Sequence, residues 1–318
     1  MSRRIWLIIA ASLMLIGCVI FAGVMTVLKW DFTKLSTVKY ETNTYEFSEV
    51  FHSISMKTDT ADITFVLSDD GKCKVECYEN IKRKHSVTVA EETLEIKEND
   101  ARSLLDHIGI NFGSPKITIY LPKVEYASLS IEESTGNVKI PKDFQFGDVA
   151  VSLSTGDVDF RASTLNQTKI KTSTGNVHIE NVSAGSMELS VSTGRITVTG
   201  VSCEGDLEVN VTTGKAYLTD VTCKNVISSG DTGDISLKDV TAVEKISIQR
   251  STGDVLLDNC DSYELMIETD TGDVTGSLLS GKIFLARTDT GKVDVPDSTA
   301  GGKCEIYTDT GDIKITIK

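Results

Sequence analysis

Acidic side chains recur at one phase through the second half of this 318-residue sequence. Asp231 and Asp234, Asp254, Asp270 and Asp273, Asp289, and Asp309 and Asp312 all flank Thr-Gly pairs. A column of carboxylates could hold Ca²⁺, a cation that seeks oxygen ligands. The glycine-rich nonapeptide of calcium-filled β-rolls is absent, however, and Lys215 and Lys292 interrupt the run. Like charges ~5 Å apart near water repel by only about 0.8 kcal/mol, so the column can stand without an ion. Ordinary turn chemistry is the favoured reading. A second constellation, Arg195 and Lys215 beside Asn176 and Asp234, has the residue types that a polysaccharide-cleaving enzyme gathers on one face. Mixed charge along an exposed corner is more often solvation. The four histidines, His52, His85, His107 and His178, lie in no motif, and no nucleophile–base pair can be argued from them. The sequence therefore assigns no catalytic, cofactor-binding or metal-ligating residue, and no cofactor.

The cysteines give a similar answer. Cys203 and Cys223 share one phase, nine residues after successive glycines, and should neighbour each other as a disulfide or as two buried thiols; the thiols are favoured. Cys73 and Cys77 lie on one face of a strand, too far apart to join each other. Cys260 and Cys304 take slots that aliphatic residues use elsewhere, and no Cys-x-x-Cys spacing suggests zinc.

These residues need something to position them, and the period supplies it. Thr-Gly returns at Gly136, Gly156, Gly175, Gly194, Gly214, Gly233, Gly253, Gly272, Gly291 and Gly311, always 19 or 20 residues on. Fixed self-similarity marks a stacked repeat. Two and four residues after almost every one of these glycines stand apolar side chains, such as Val177 and Ile179 or Ile196 and Val198, with mostly polar residues between. Five and seven residues before it stand another set, such as Leu189 and Met187 or Val209 and Leu207. Alternation at period two with β-branched residues is strand, not helix. The Ser/Asp-Thr-Gly-Asp/Asn tetrad reads as one corner. A second corner reads Asn181-Val182-Ser183, Gly200-Val201-Ser202, Asp220-Val221-Thr222, Asp239-Val240-Thr241 and Asn259-Cys260-Asp261, with its middle residue inward.

A 20-residue unit is too short for a strand–helix–strand crossover but long enough for one circuit of a flattened coil. Equivalent strands would pair in parallel about 4.8 Å apart, giving a rod on the order of 50 Å long. The expected fold is all-β: a parallel β-solenoid of about 10–11 coils, preceded by one transmembrane helix. The expected domains are an anchor at 1–30, a linker and leading strand at 31–53, and the solenoid at 54–318. Ile54 to Phe65 fits the repeat with Ala61 in the glycine slot. Residues 66–116 break the period as a capping insertion, with a turn at Asp69-Asp70-Gly71, a hairpin around Glu91-Glu92, and a polar loop carrying Leu104 to Ile108. No cap is expected at the C-terminus, where Ile313, Ile315 and Ile317 would form an open edge guarded by Lys314 and Lys318.

Residues 5–28 are uncharged and long enough to cross a membrane. Arg3 and Arg4 before them favour a cytoplasmic N-terminus, with the bulk of the chain extracellular. An uncleaved anchor is favoured. The alternatives are a lipoprotein, through the lipobox-like Leu15-Ile16-Gly17-Cys18, and a cleaved signal. A net charge of −14 argues against a nucleic-acid partner, because that binding relies on Lys and Arg.

The N-terminal apolar segment, the ISMKTDTADITF opening, the 66–116 insertion and the STGDV/DTGDI corners together resemble the bacterial putative-adhesin domain family. The likeness covers about residues 45–318. It implies surface attachment or envelope association, in a family frequent in Firmicutes and often encoded near envelope-stress systems, and it carries over no catalytic residue. The expected function is a membrane-anchored, extracytoplasmic, adhesin-like scaffold without enzymatic activity, with an envelope glycan or protein as partner and oligomerisation through the C-terminal edge. A regulatory or sensory accessory subunit contacting its partner through residues 29–116 is the alternative, and a polysaccharide-active enzyme the third.

Overall fold

The structure, a computed structural model, describes residues 3–36, 38–102 and 113–318. The Leu104–Ile108 patch and His107 lie outside the described residues. From residue 53 onward the chain winds as a parallel β-solenoid of about 10 turns. The winding follows from the aliphatic phases. Leu207–Thr232 pairs in parallel with Ser186–Cys203 on one side and Ile235–Thr252 on the other, setting Leu189 on Val209, Val191 on Val211 and Val198 on Leu218. All six side chains are buried. Slipping one residue would turn each row outward, so burial fixes the register.

Both corners form as their residue types require. At the first, Gly194 has φ 147°, and a Cβ there would lie 1.8 Å from the Gly175 carbonyl oxygen of the layer below. Only glycine tolerates that combination. At the second, Asn181, Gly200, Asp220, Asp239 and Asn259 all have φ between 53° and 64°. The residues after them, Val182, Val201, Val221, Val240 and Cys260, are buried. A third short run completes each circuit: Ser183–Ala184 pairs with Ser202 and Cys203, and Thr222 and Cys223 pair with Thr241 and Ala242. The two-strand unit expected from the sequence lacked this run, because it spans only two or three residues.

Residues 53–67 form a coil covered on both sides. Ser53–Thr60 pairs with Thr93–Asp100 and with Glu125–Thr135, and Asp62–Leu67 pairs with Lys116–Leu121 and Val138–Ile140. Beyond this layer the pairing turns antiparallel. Cys73–Asn80 lies on Lys116–Leu121, Tyr40–Phe47 lies on Cys73–Asn80, and Arg83–Ala90 lies on Thr93–Asp100. Glu91 and Glu92 adopt positive φ in the hairpin turn. Phe51, Tyr126, Phe146, Phe144 and Phe65 form a chain of aromatic contacts at this end of the core.

The other end corrects the expectation of a C-terminal open edge. Ile313–Ile317 is not the outermost strand. It pairs with Val274–Leu278 on one side and Val293–Asp294 on the other, and Gly302–Thr310 lies between Val255–Thr271 and Lys282–Thr290. The glycine column therefore stacks in the order Gly272, Gly311, Gly291. The last coil in sequence is the second-last in space, and the edge belongs to Lys282–Thr290 with Val293–Asp294. Lys318 is engaged as well, bonding the Leu278 carbonyl through its amide and the Asp258 carboxylate through Nζ. Filling this layer satisfies both edges of the terminal strand.

Arg3–Val27 is an α-helix, long and apolar enough to cross a membrane.

Candidate functional site

The corner carboxylates do a definite structural job. Asp157, Asp234, Asp254, Asp273 and Asp312 each accept the backbone N–H of the next layer's equivalent residue at 2.7–3.2 Å. Asp62 and Asn137 begin the same column. In these layers the acceptor satisfies an amide that the sharp corner leaves without a ladder partner. Lys215 interrupts the column as expected, as does Arg195 beside it, and Lys292 ends it at the outermost layer, donating its amide to Asp312. Arg195 and Lys215 neighbour each other and Asn176, Lys215 pairs with Asp234 at 2.7 Å, and Arg195 lies over the Tyr217 ring. One step inward, Thr172, Thr269, Thr308 and Thr288 donate their hydroxyls to glycine carbonyls of adjoining layers.

The cysteines are free thiols, and all except Cys18 are buried. Burial pushes Cys203 up to about 11 and Cys223 up to about 12, so neither is a ready nucleophile at neutral pH. His52 is exposed, and His178 stands 3.8 Å from Glu180 on an outer face, far in sequence and layer from His85.

Three polar features inside the stack were not legible as sites. Glu133 is buried beneath the Ala61 corner, where it accepts the Ala61 N–H at 2.9 Å and contacts the Thr58 hydroxyl. Burial pushes its carboxyl up to about 8, with the Glu98 and Asp59 charges adding to the effect. Arg250 enters the core where Ser228 and Gly230 replace larger side chains in the adjoining layer. Its Nη2 donates to Ser228 Oγ at 2.8 Å while its Nε has no partner, and burial lowers the guanidinium to about 10. The third feature is a cluster in the cap, Cys77, Glu79 and His85, whose ligand atoms lie within 4.8 Å of one another. The only sequence signal for it was alternation: Cys77 and Glu79 share the inward face of Cys73–Asn80.

The free end presents a different surface. Lys282–Thr290 is hydrogen-bonded on one side only among the described residues. Leu285 is 66% exposed, and Ile283 and Val293 are also exposed. A groove of about 590 Å³ opens beside it, lined by Val243, Tyr263, Gly281, Ala300, Gly301 and Gly302. Tyr263, 75% exposed, is the largest apolar group there. The opposite end differs: Tyr40–Phe47 carries Glu41 and Glu46 on its margin, and Lys84 of Arg83–Ala90 pairs with Glu41 at 2.5 Å.

A family model described as Toastrack DUF4097 matches residues 51–215 and again 204–318. Among solved structures, a putative adhesin from Bacteroides fragilis is similar at 18% identity and a TM-score of 0.42, covering 87% of this chain and 97% of that one. A putative adhesin from Parabacteroides distasonis is similar at 14% and 0.44, covering 88% and 98%. A putative lipid binding protein from the same species is similar at 12% and 0.42, covering 87% and 97%. Identities this low transfer no residue role. No curated protein matches the chain.

Proposed function

Because the chain belongs to the Toastrack DUF4097 family, matched over nearly all of its β-stack, we propose that it is a membrane-anchored, extracytoplasmic, adhesin-like scaffold, not an enzyme, whose distal end carries the binding surface. The observation that carries this reading is the asymmetry of the two ends. Among the described residues both ends finish in a strand paired on one side, but the margin near the apolar helix carries charged side chains with Glu41 ion-paired to Lys84, whereas the far end exposes Ile283, Leu285 and Val293, with Tyr263 nearby. Successive layers about 4.8 Å apart set that surface on the order of 50 Å from the first coil. Soluble proteins rarely leave a long edge with apolar side chains unguarded unless it meets a partner. The arginines ahead of the helix favour a cytoplasmic N-terminus, which puts the stack outside. An extended envelope protein or glycan fits the edge: the backbone would supply hydrogen bonds, and the Tyr263 groove would take an apolar or ring-shaped group.

The test uses the full chain reconstituted in liposomes and incubated with isolated cell-envelope fragments. Retention above protein-free liposomes is expected. The double variant Ile283→Lys/Leu285→Lys should weaken it at least about tenfold, equivalent to about 1.4 kcal/mol. Equal retention of the variant, or none of the parent, would remove the distal end from consideration.

A further inference from the structure

We propose that Cys77, Glu79 and His85 form a binding site for a thiophilic divalent cation of the Zn²⁺ type in the N-terminal cap. The three residues offer one sulfur, one oxygen and one nitrogen, all buried, with ligand atoms within 4.8 Å of one another. That mixed set matches a borderline-soft ion that takes Cys, His and carboxylate in a tetrahedral shell. A hard ion such as Ca²⁺ or Mg²⁺ would find too few oxygens.

Two observations point to a ligand rather than to a closed hydrogen-bond cluster. His85 is 4% exposed, yet its Nε2 has no hydrogen-bond partner. With Nδ1 on the ion, Nε2 carries the ring's proton and faces a carboxylate, the outer partner that a metal-bound histidine ordinarily has. The nearest further acceptor is Glu98 Oε2, 3.8 Å from that nitrogen. A small shift would close that pair, with water taking the fourth position on the ion.

Charge balance agrees. A Cys77 thiolate and the Glu79 carboxylate together cancel a divalent cation, while Arg83 already faces Glu98. Binding releases the thiol proton. The supporting contacts are in place too: Asn43 Nδ2 donates to Glu79 Oε1 at 2.7 Å, and the His85 backbone N–H donates to Glu79 Oε2 at 2.6 Å. Without an ion, Glu79 Oε2 also meets His85 Nδ1 at 2.6 Å. Ligands in one tetrahedral shell sit roughly 3.3 Å apart by the bond lengths of zinc, so this pair would open by about 0.7 Å. The ion would tie Cys73–Asn80 to Arg83–Ala90, and so clamp the two antiparallel margins of the cap.

The experiment strips the detergent-solubilised full chain with a chelator and titrates it with Co²⁺, then Zn²⁺. One Co²⁺ per chain is expected, with the near-ultraviolet thiolate-to-metal band and intense visible bands of a tetrahedral site, displaced by one Zn²⁺. Cys77→Ser should abolish the thiolate band, and His85→Gln should weaken binding at least about tenfold. Zn²⁺ should raise the thermal midpoint of the parent and not that of His85→Gln. If either variant fails to fold, the band and the Zn²⁺-dependent midpoint of the parent decide. Binding without a thiolate band, a band that survives Cys77→Ser, or a midpoint indifferent to Zn²⁺ would each overturn the site and leave only adventitious metal on surface carboxylates.

Discussion

Glu133 occupies an inward slot that Leu153 and Val191 fill two layers apart. Its oxygens tie down the one corner where alanine replaces glycine, accepting the Ala61 amide. Burial lifts its folded-state value to about 8, well above the ordinary carboxylate range near 4.3 in an unfolded chain. Between those two values the folded state keeps a proton that the unfolded state has lost. Stability therefore falls as pH rises from about 4.5 to 8, and levels off above that. Glu133→Gln keeps an acceptor for Ala61 and removes the titration. Denaturant unfolding should find the variant close to the parent at pH 4 and more stable by about 4–5 kcal/mol at pH 8. A parent–variant difference independent of pH would show that Glu133 is ionised inside the fold. The parity set by Leu129 and Ile131 was the one sequence signal that turns this glutamate inward and Glu132 outward.

Among the elements, the last coil decides how the free end is built. Gly302–Thr310 and Ile313–Ile317 are hydrogen-bonded on both sides. Ending the chain at residue 301 thus removes the support of Lys282–Thr290 as well as the last strands themselves. Limited proteolysis of that truncated chain should cut within 282–301 at a rate at least about tenfold above the parent. Continued protection would mean that 282–294 can dock on 255–278 directly, as a simple spiral would have it. The hairpin over Arg83–Ala90 and Thr93–Asp100, by contrast, was readable in advance. Glu91-Glu92 falls between two alternating runs of matched length, and such local pairing needs no distant partner.

The whole molecule behaves as a nearly one-dimensional object, in which each layer touches only its neighbours. Opening should begin where a layer has one neighbour and spread inward. Hydrogen exchange followed by mass spectrometry is expected to show weakest protection over Lys282–Thr290, stronger protection over Ile313–Ile317, and the strongest over Ser186–Cys203 and Leu207–Thr232. Fraying from residue 318 backward, with 282–290 more protected than 313–317, would contradict the layer order. Charged side chains cover the first corner, and Leu285 and Tyr263 are among the most exposed apolar groups of the last layers.

Period, parity and corner chemistry were settled by the amino-acid sequence alone, because each depends on residues within one circuit: the Thr-Gly bends, the positive-φ Asn, Asp and Gly at the second corner, and the inward aliphatic rows. Layer order was not. Coils that resemble one another offer nearly equal docking faces, so the pattern says that they stack without saying which lies on which. Edge satisfaction in the folded chain places 302–317 inside 282–294. The gathering of Cys77, Glu79 and His85 likewise needed tertiary structure, since it arises where antiparallel strands fold over the stack and bring Asn43 to Glu79 across 36 residues.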